Sequence, residues 1–183
     1  MTAADAEAGD NFGTSVSGSG DTALVGAPGA GDKGPFSGAA YVFVRDGAGV
    51  WSQQAKLTAS DGAASYGFGA SVSFSGDTAL VGSFQDDDNG IDSGSAYLFV
   101  RDGAGIWSHQ DKLTASDGAE SDGFGSSVSI SGDSALVGAF QNDGAATSSG
   151  SAYVFARDGA GSWSQATKLA ASDGASSDLF GEP

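Results

Sequence analysis

The feature that most constrains this chain is a repeat. "FGTSVSGSGDTALVG" at 12–26 returns as "FGASVSFSGDTALVG" at 68–82 and as "FGSSVSISGDSALVG" at 124–138, a spacing of 56 residues without insertion or deletion. Phe-Gly stands at 12–13, 68–69, 124–125 and again at 180–181. "SGAAYVFVRDGAGVWSQQAKLTASDGA" at 37–63 recurs with few changes at 93–119 and 149–175. A long tandem period of this kind means one supersecondary unit stacked on copies of itself, because a single unit cannot bury its own apolar face.

Each unit reads as four short strands. "GASVSFS" alternates with period two, "TALVGS" is short and apolar, "SAYLFVR" is aromatic and β-branched, and "IWSHQDKLTA" carries Trp107, Lys112 and Leu113. "SGD" supplies a tight turn between the first two. "RDGAG" supplies a hairpin turn between the last two. No stretch has a helical period. Gly is 31 of 183 residues and Pro only 3, a composition of many turns rather than of a linker or collagen. Four strands per repeat predicts an all-β fold, a β-propeller with three four-stranded blades. The expected blades are about 12–60, 68–116 and 124–172, followed by an overhang at 173–183.

"FGxSVSxSGDxALVGA…SGxAYVF" resembles the FG-GAP repeat of integrin-α-type β-propellers, and "FGTSVSGSGDTALVGAP" at 12–28 carries both halves of that name. The resemblance covers essentially the whole chain. It implies a propeller that binds or adheres, in an extracellular or cell-surface setting. Two departures stand out. Gly-Ala-Pro becomes Gly82-Ser83-Phe84 and Gly138-Ala139-Phe140 in the later copies. The calcium-binding members' Asp-x-Asp-x-Asp-Gly loop between the first two strands shrinks here to Gly20-Asp21, Gly76-Asp77 and Gly132-Asp133, so that site does not carry over: calcium wants six to eight oxygen ligands.

The formal charge of −16 comes almost wholly from Asp. Such a field repels nucleic acid and anionic membrane surfaces and suits cations or a saline medium. No apolar run is long enough to cross a membrane as a helix, the first ten residues lack the basic and apolar regions of a signal peptide, and no Cys is present for disulfides or thiolate sites.

Residues present in every copy serve the repeat before any unique site. Phe12-Gly13, Phe68-Gly69, Phe124-Gly125 and Phe180-Gly181 are expected to begin the innermost strands, where Gly lets backbones crowd. Val16, Val72 and Val128 would face a blade core. Trp51, Trp107 and Trp163 recur with Arg45, Arg101 and Arg157, and with Lys56, Lys112 and Lys168. Either each Trp fills the gap between blades with Arg stacked on it, or the three Trp form a repeated platform for sugars. Asp46, Asp102 and Asp158 would cap the hairpin turns.

Chemistry that differs between copies is concentrated between strands two and three: "PGAGDKGPFSG", "FQDDDNGIDSG" and "FQNDGAATSSG". Equal length with divergent side chains marks exposed loops on a fixed scaffold. In the second copy Asp86, Asp88, the Gly90 carbonyl and Asp92 have the alternate spacing of a small oxygen-ligand loop, either a calcium site or a solvated acidic turn. In the first copy Lys33 would partly cancel Asp32. Gly29, Gly31 and Gly34 match G-x-G-x-x-G, but no helix follows, so the match is accidental. The single His109 stands where the other copies have Gln53 and Gln165, and no nucleophile elbow occurs. The expectation is a protein that is not an enzyme.

Three blades would leave two blade faces open, and such patches mark interfaces. Thr2-Ala3-Ala4-Asp5 aligns with Thr58-Ala59-Ser60-Asp61, and "ASDGASSDLFGEP" repeats the same connector at the other end. The expected partner is the chain itself, two copies giving six blades, with a protein or a glycan as possible ligand. A carbohydrate-binding propeller and a purely structural or engineered self-assembling unit are the alternatives. The same ends also fit a piece of a longer propeller.

Overall fold

A computed structural model describes residues 1–182; Pro183, the last residue of the expected overhang, lies outside them. The described residues form twelve strands and no helix. They are β1 (Val16–Ser19), β2 (Thr22–Ala27), β3 (Ala39–Arg45), β4 (Trp51–Leu57), β5 (Ser71–Ser75), β6 (Thr78–Ser83), β7 (Ser95–Arg101), β8 (Trp107–Leu113), β9 (Phe124–Ser131), β10 (Ser134–Ala139), β11 (Ser151–Arg157) and β12 (Trp163–Leu169). They make three four-stranded antiparallel meanders, β1 to β4, β5 to β8 and β9 to β12. The all-β, three-blade architecture expected from the repeat is the one observed, and the sheets do not close into a ring.

Local chemistry explains the hairpins. The Asp102 carboxylate accepts the N–H groups of Ala104 and Ile106, and Asp46 and Asp158 do the same in the other blades. That fixes the turn between the outer two strands, with Gly105 at a φ of 83° that disfavours any other residue. A bulge recurs at one place in each outer pair, between Val42 and Phe43, Leu98 and Phe99, and Val154 and Phe155. It adds twist to each sheet.

Packing follows from both faces of each middle strand being apolar. Leu24, Val42 and Leu57 of the first sheet bury against Phe68, Val72, Phe74, Val81 and Phe99. Leu80, Leu98 and Leu113 of the second bury against Phe124, Ile130, Val137, Phe155 and Trp163. Each blade therefore presents one face to the blade before it and another to the blade after it.

At the crossing point side chains give way to backbone. Ser15, Ser71 and Ser127 donate through Oγ to the carbonyls of Gly69, Gly125 and Gly181 at 2.7–2.8 Å. A Cβ on Gly82 would overlap the Gly125 carbonyl, and one on Gly69 would overlap the Ala39 carbonyl. This is why Phe-Gly recurs. The Phe ring fills the next blade's core while its Gly lets two backbones touch.

Two expectations need correction. Only Phe124 begins a strand; Phe68 precedes β5 and makes an isolated bridge with Gly38. Val72 is buried and Val128 half-buried, whereas Val16 is 70% exposed. These valines face the preceding blade rather than their own core, and no described residue packs there before blade one. On the opposite side of the stack Leu136 and Leu169, counterparts of buried Leu80 and Leu113, are 41% and 42% exposed for the same reason.

Candidate functional site

In a meander, alternate turns share an end. The tight turns and hairpins lie at one end of each blade. The loops 28–38, 84–94 and 140–150 lie at the other, beside the connectors that lead into the next blade. Two features are built at that second end: a charged clasp where a connector meets the blade it enters, and an apolar groove across the blades.

The clasp centres on lysine. Lys112 leaves β8 with its Nζ 2.7 Å from Asp61, 3.2 Å from Asp86 and 2.5 Å from Asp88, and 4.9 Å above the Tyr97 ring. The Tyr97 hydroxyl lies 2.7 Å from Asp61 and 2.5 Å from Asp86, with one proton to donate to either. Ser95 donates to Asp88. Blade one repeats the motif with Lys56 on Asp5 at 2.6 Å and on Asp32. Blade three keeps Lys168 on Asp117 at 2.7 Å, with Tyr153 donating to the same carboxylate. Asp32 thus pairs with Lys56, not with its neighbour Lys33.

The ionisation states follow. Burial works against the charge of Lys112, and hydrogen bonds to Asp61 and Asp88 more than offset it, holding its pKa above the ordinary lysine value. Burial also raises Asp61, but Lys112 and Tyr97 outweigh it and leave that carboxyl low. Asp86 goes the other way: it is the most enclosed of the three, and burial pushes its pKa up despite Tyr97 and Lys112. Tyr97 is raised by burial and by the two carboxylates it faces.

The spacing of Asp86, Asp88, Gly90 and Asp92 does not become a calcium cage. Asp86 and Asp88 do converge, but on the Lys112 ammonium. The Gly90 carbonyl accepts the Ser93 N–H, closing a turn. Asp92 sits at a φ of 55° and gives its N–H to Asp87. Among the described residues no group of three or more His, Cys, Asp or Glu is arranged to hold a metal ion. The cation that this loop faces is a lysine of the same blade, so the residues present do not fit calcium.

The tryptophans sit under arginines. Arg45, Arg101 and Arg157 lie 5.5–5.8 Å from the ring centres of Trp51, Trp107 and Trp163. Each Arg also pairs with the Asp of the tight turn, Asp21, Asp77 or Asp133. Trp107 donates to Gln54 of blade one and packs on Phe74; Trp163 is buried. His109 lies edge-on to Phe99 and tilted against Tyr97, with no carboxylate partner among the described residues.

The groove is the part sequence reasoning missed. Pro28, Phe36 and Phe84 line a cleft of about 430 Å³ with Asn11, Thr14 and Gln85. Phe84 also meets Phe140 at 6.5 Å, and the two line a further cleft of about 230 Å³. An apolar track thus crosses three blades. Its signal lay in the sequence as a departure: Phe84 and Phe140 stand where the first copy has Pro28. Phe36 is 57% exposed on a backbone at φ 58°, a conformation that costs a non-glycine residue about 1 kcal/mol or more. Its carbonyl accepts the Gly67 N–H, which holds it there.

A model of the FG-GAP repeat matches residues 1–43, 51–99 and 107–155. The chain belongs to the FG-GAP repeat family. No curated protein sequence matches it. The second and third FG-GAP matches each run from the outer strand of one blade, through the connector, to the third strand of the next. The recurring unit of sequence is therefore offset from the sheet, and these two matches each straddle an interface between blades.

Proposed function

We propose that this FG-GAP chain is a non-catalytic binding module of an extracellular or cell-surface protein, and that it engages its ligand at the loop end. The observation that carries this reading is the track of Pro28, Phe36, Phe84 and Phe140 across successive blades, in the loops where the copies diverge. Apolar and aromatic side chains gathered in a cleft, on a chain whose net charge is −16, suit a protein segment with aliphatic and basic residues. The sugar-platform alternative draws less support, because each Trp ring carries an Arg and Trp163 is buried.

The test is binding of the labelled protein to arrays of extracellular-matrix proteins and of glycans. Binding to matrix proteins, lost in Phe84→Ala and Phe36→Ser but kept in Ile106→Ser at the opposite end, supports the reading. Glycan binding lost in Trp107→Ala would replace it. Signal on a matrix protein that Phe84→Ala does not reduce, or no signal on either array, would sink it.

A further inference from the structure

We propose that a second copy of this chain docks its first blade onto the open face of blade three, and that the connector at 171–181 of one copy then displaces residues 1–13 of the other. This does not rest on the ligand reading above.

The established interfaces supply the template. Wherever two blades meet, the connector from the earlier blade delivers three things to the later one. It brings an Ala into the core, an Asp to the lysine, and a Phe to the Tyr–Phe pair. For blade two these are Ala59, Asp61 and Phe68, with Phe68 5.3 Å from Tyr97 and 6.0 Å from Phe99. For blade three they are Ala115, Asp117 and Phe124, at 5.4 Å from Tyr153 and 5.9 Å from Phe155. Blade one receives the same set from residues with no blade behind them: Ala3, Asp5 at Lys56, and Phe12 at 5.6 Å from Tyr41 and 6.0 Å from Phe43. That segment is held less well. Phe12 is only half-buried where Phe68 and Phe124 are fully buried, and the Tyr41 hydroxyl is buried without a partner.

The other end of the stack offers the same set, and no described residue receives it. Phe180 bridges Gly150 as Phe68 bridges Gly38, and Ser127 holds the Gly181 carbonyl, so the connector is already seated for a following blade. Yet the Phe180 ring is 42% exposed. Asp173 holds the register position of Asp61 and Asp117, and no described lysine pairs with it. Beside it Leu136, Val154 and Leu169 form the outward face, at the positions that bury in the two existing interfaces. A copy whose blade one packs there continues that interface. One slot cannot hold two connectors, so residues 1–13 must leave for 171–181 to enter. The contact is head-to-tail, and its rotation decides whether it closes as a ring.

The experiment is light scattering on the full chain, combined with zero-length carbodiimide cross-linking of a mixture of isotopically light and heavy protein. The expected result is a mass at least double the 17.8 kDa of one chain, and a mixed-isotope cross-link between Asp173 and Lys56. Leu169→Asp should return the mass to one chain; Leu169 is already solvent-facing, so circular dichroism should remain that of the parent. Asp5→Asn, which loosens the resident segment, should increase the assembled fraction severalfold. A monomer at the highest soluble concentration overturns the proposal. So does an assembly that gives no Asp173–Lys56 cross-link or that Leu169→Asp leaves intact.

Discussion

Lys112 and Asp61 are 51 residues apart in the chain, and their ammonium and carboxylate meet at 2.7 Å across the junction of two blades. Asp61 belongs to the connector leaving blade one and Lys112 to the outer strand of blade two. The contact therefore ties successive blades together. Lys168–Asp117 repeats it at the next junction, and Lys56–Asp5 holds the first residues on blade one in the same way, so charged clasps accompany the apolar core.

Removing the ammonium should cost stability in an order set by what it leaves behind. Lys112→Met strands the enclosed Asp86 with Asp61 and Asp88, and an uncompensated buried charge costs about 3–5 kcal/mol. Lys168→Met leaves only the half-exposed Asp117, a loss of about 1 kcal/mol or less. Urea denaturation monitored by Trp fluorescence gives both numbers. Equal losses would show that Asp86 is not what makes the central clasp special.

Stability should be flat across neutral pH and fall on both sides. Asp5, Asp61 and Asp117 have lowered pKa values in the folded protein. What they contribute is present above the ordinary carboxylate pKa of about 4 and disappears as pH falls through their folded values. Lys112 is raised, so its contribution is present below the ordinary lysine pKa of about 10.4 and disappears as pH rises through its folded value. Melting temperature against pH reads both edges.

Asp86 runs against the other carboxylates. Its folded pKa is raised, so what it contributes is full below the ordinary carboxylate value and disappears as pH rises through the folded one. At pH 7 its ionised form weakens the fold. Asp86→Asn should hold or raise the melting temperature at pH 7. Blade three already carries Asn142 at this position, bonded to Asp122 and Ser151. A marked loss at pH 7 would mean that Lys112 needs all three carboxylates.

Calcium should leave the protein unmoved. With Lys112 seated among Asp61, Asp86 and Asp88, millimolar calcium or excess chelator should not shift the melting temperature. Lys112→Ala, which vacates that point and leaves three carboxylates, should become stabilised by calcium. A calcium-dependent shift in the parent protein would place an ion elsewhere.

A methyl group should separate the crowded glycines from the free ones. Gly82→Ala drives a Cβ into the Ser71 hydroxyl and into the Gly125 carbonyl, backbone that cannot step aside, and should cost about 3 kcal/mol, the upper range of overpacking. Gly103→Ala, in the open hairpin, meets nothing and should be neutral. Thermal unfolding of the two variants decides it.

The sequence by itself determined the strands, their turns and the family. These rest on local chemistry repeated three times: period-two alternation, an Asp beside paired glycines, and apolar residues on both faces of a middle strand. It also determined that Lys112 and Asp61 recur, since both stand in every copy. Only the tertiary structure decided that they meet, that Asp86 and Asp88 turn to a lysine rather than close around an ion, and that Val16 and Val72 have opposite exposures despite identical registers. Asp86 and Asp88 reach Lys112 through the folding of their own blade, whereas the clasp and the valines share another reason. A repeat specifies each unit's contacts with its neighbours, and which of those are made depends on a blade being there, which no single unit's residues contain. The groove of Pro28, Phe84 and Phe140 belongs with them, because it joins residues 56 apart that touch only once the blades stack.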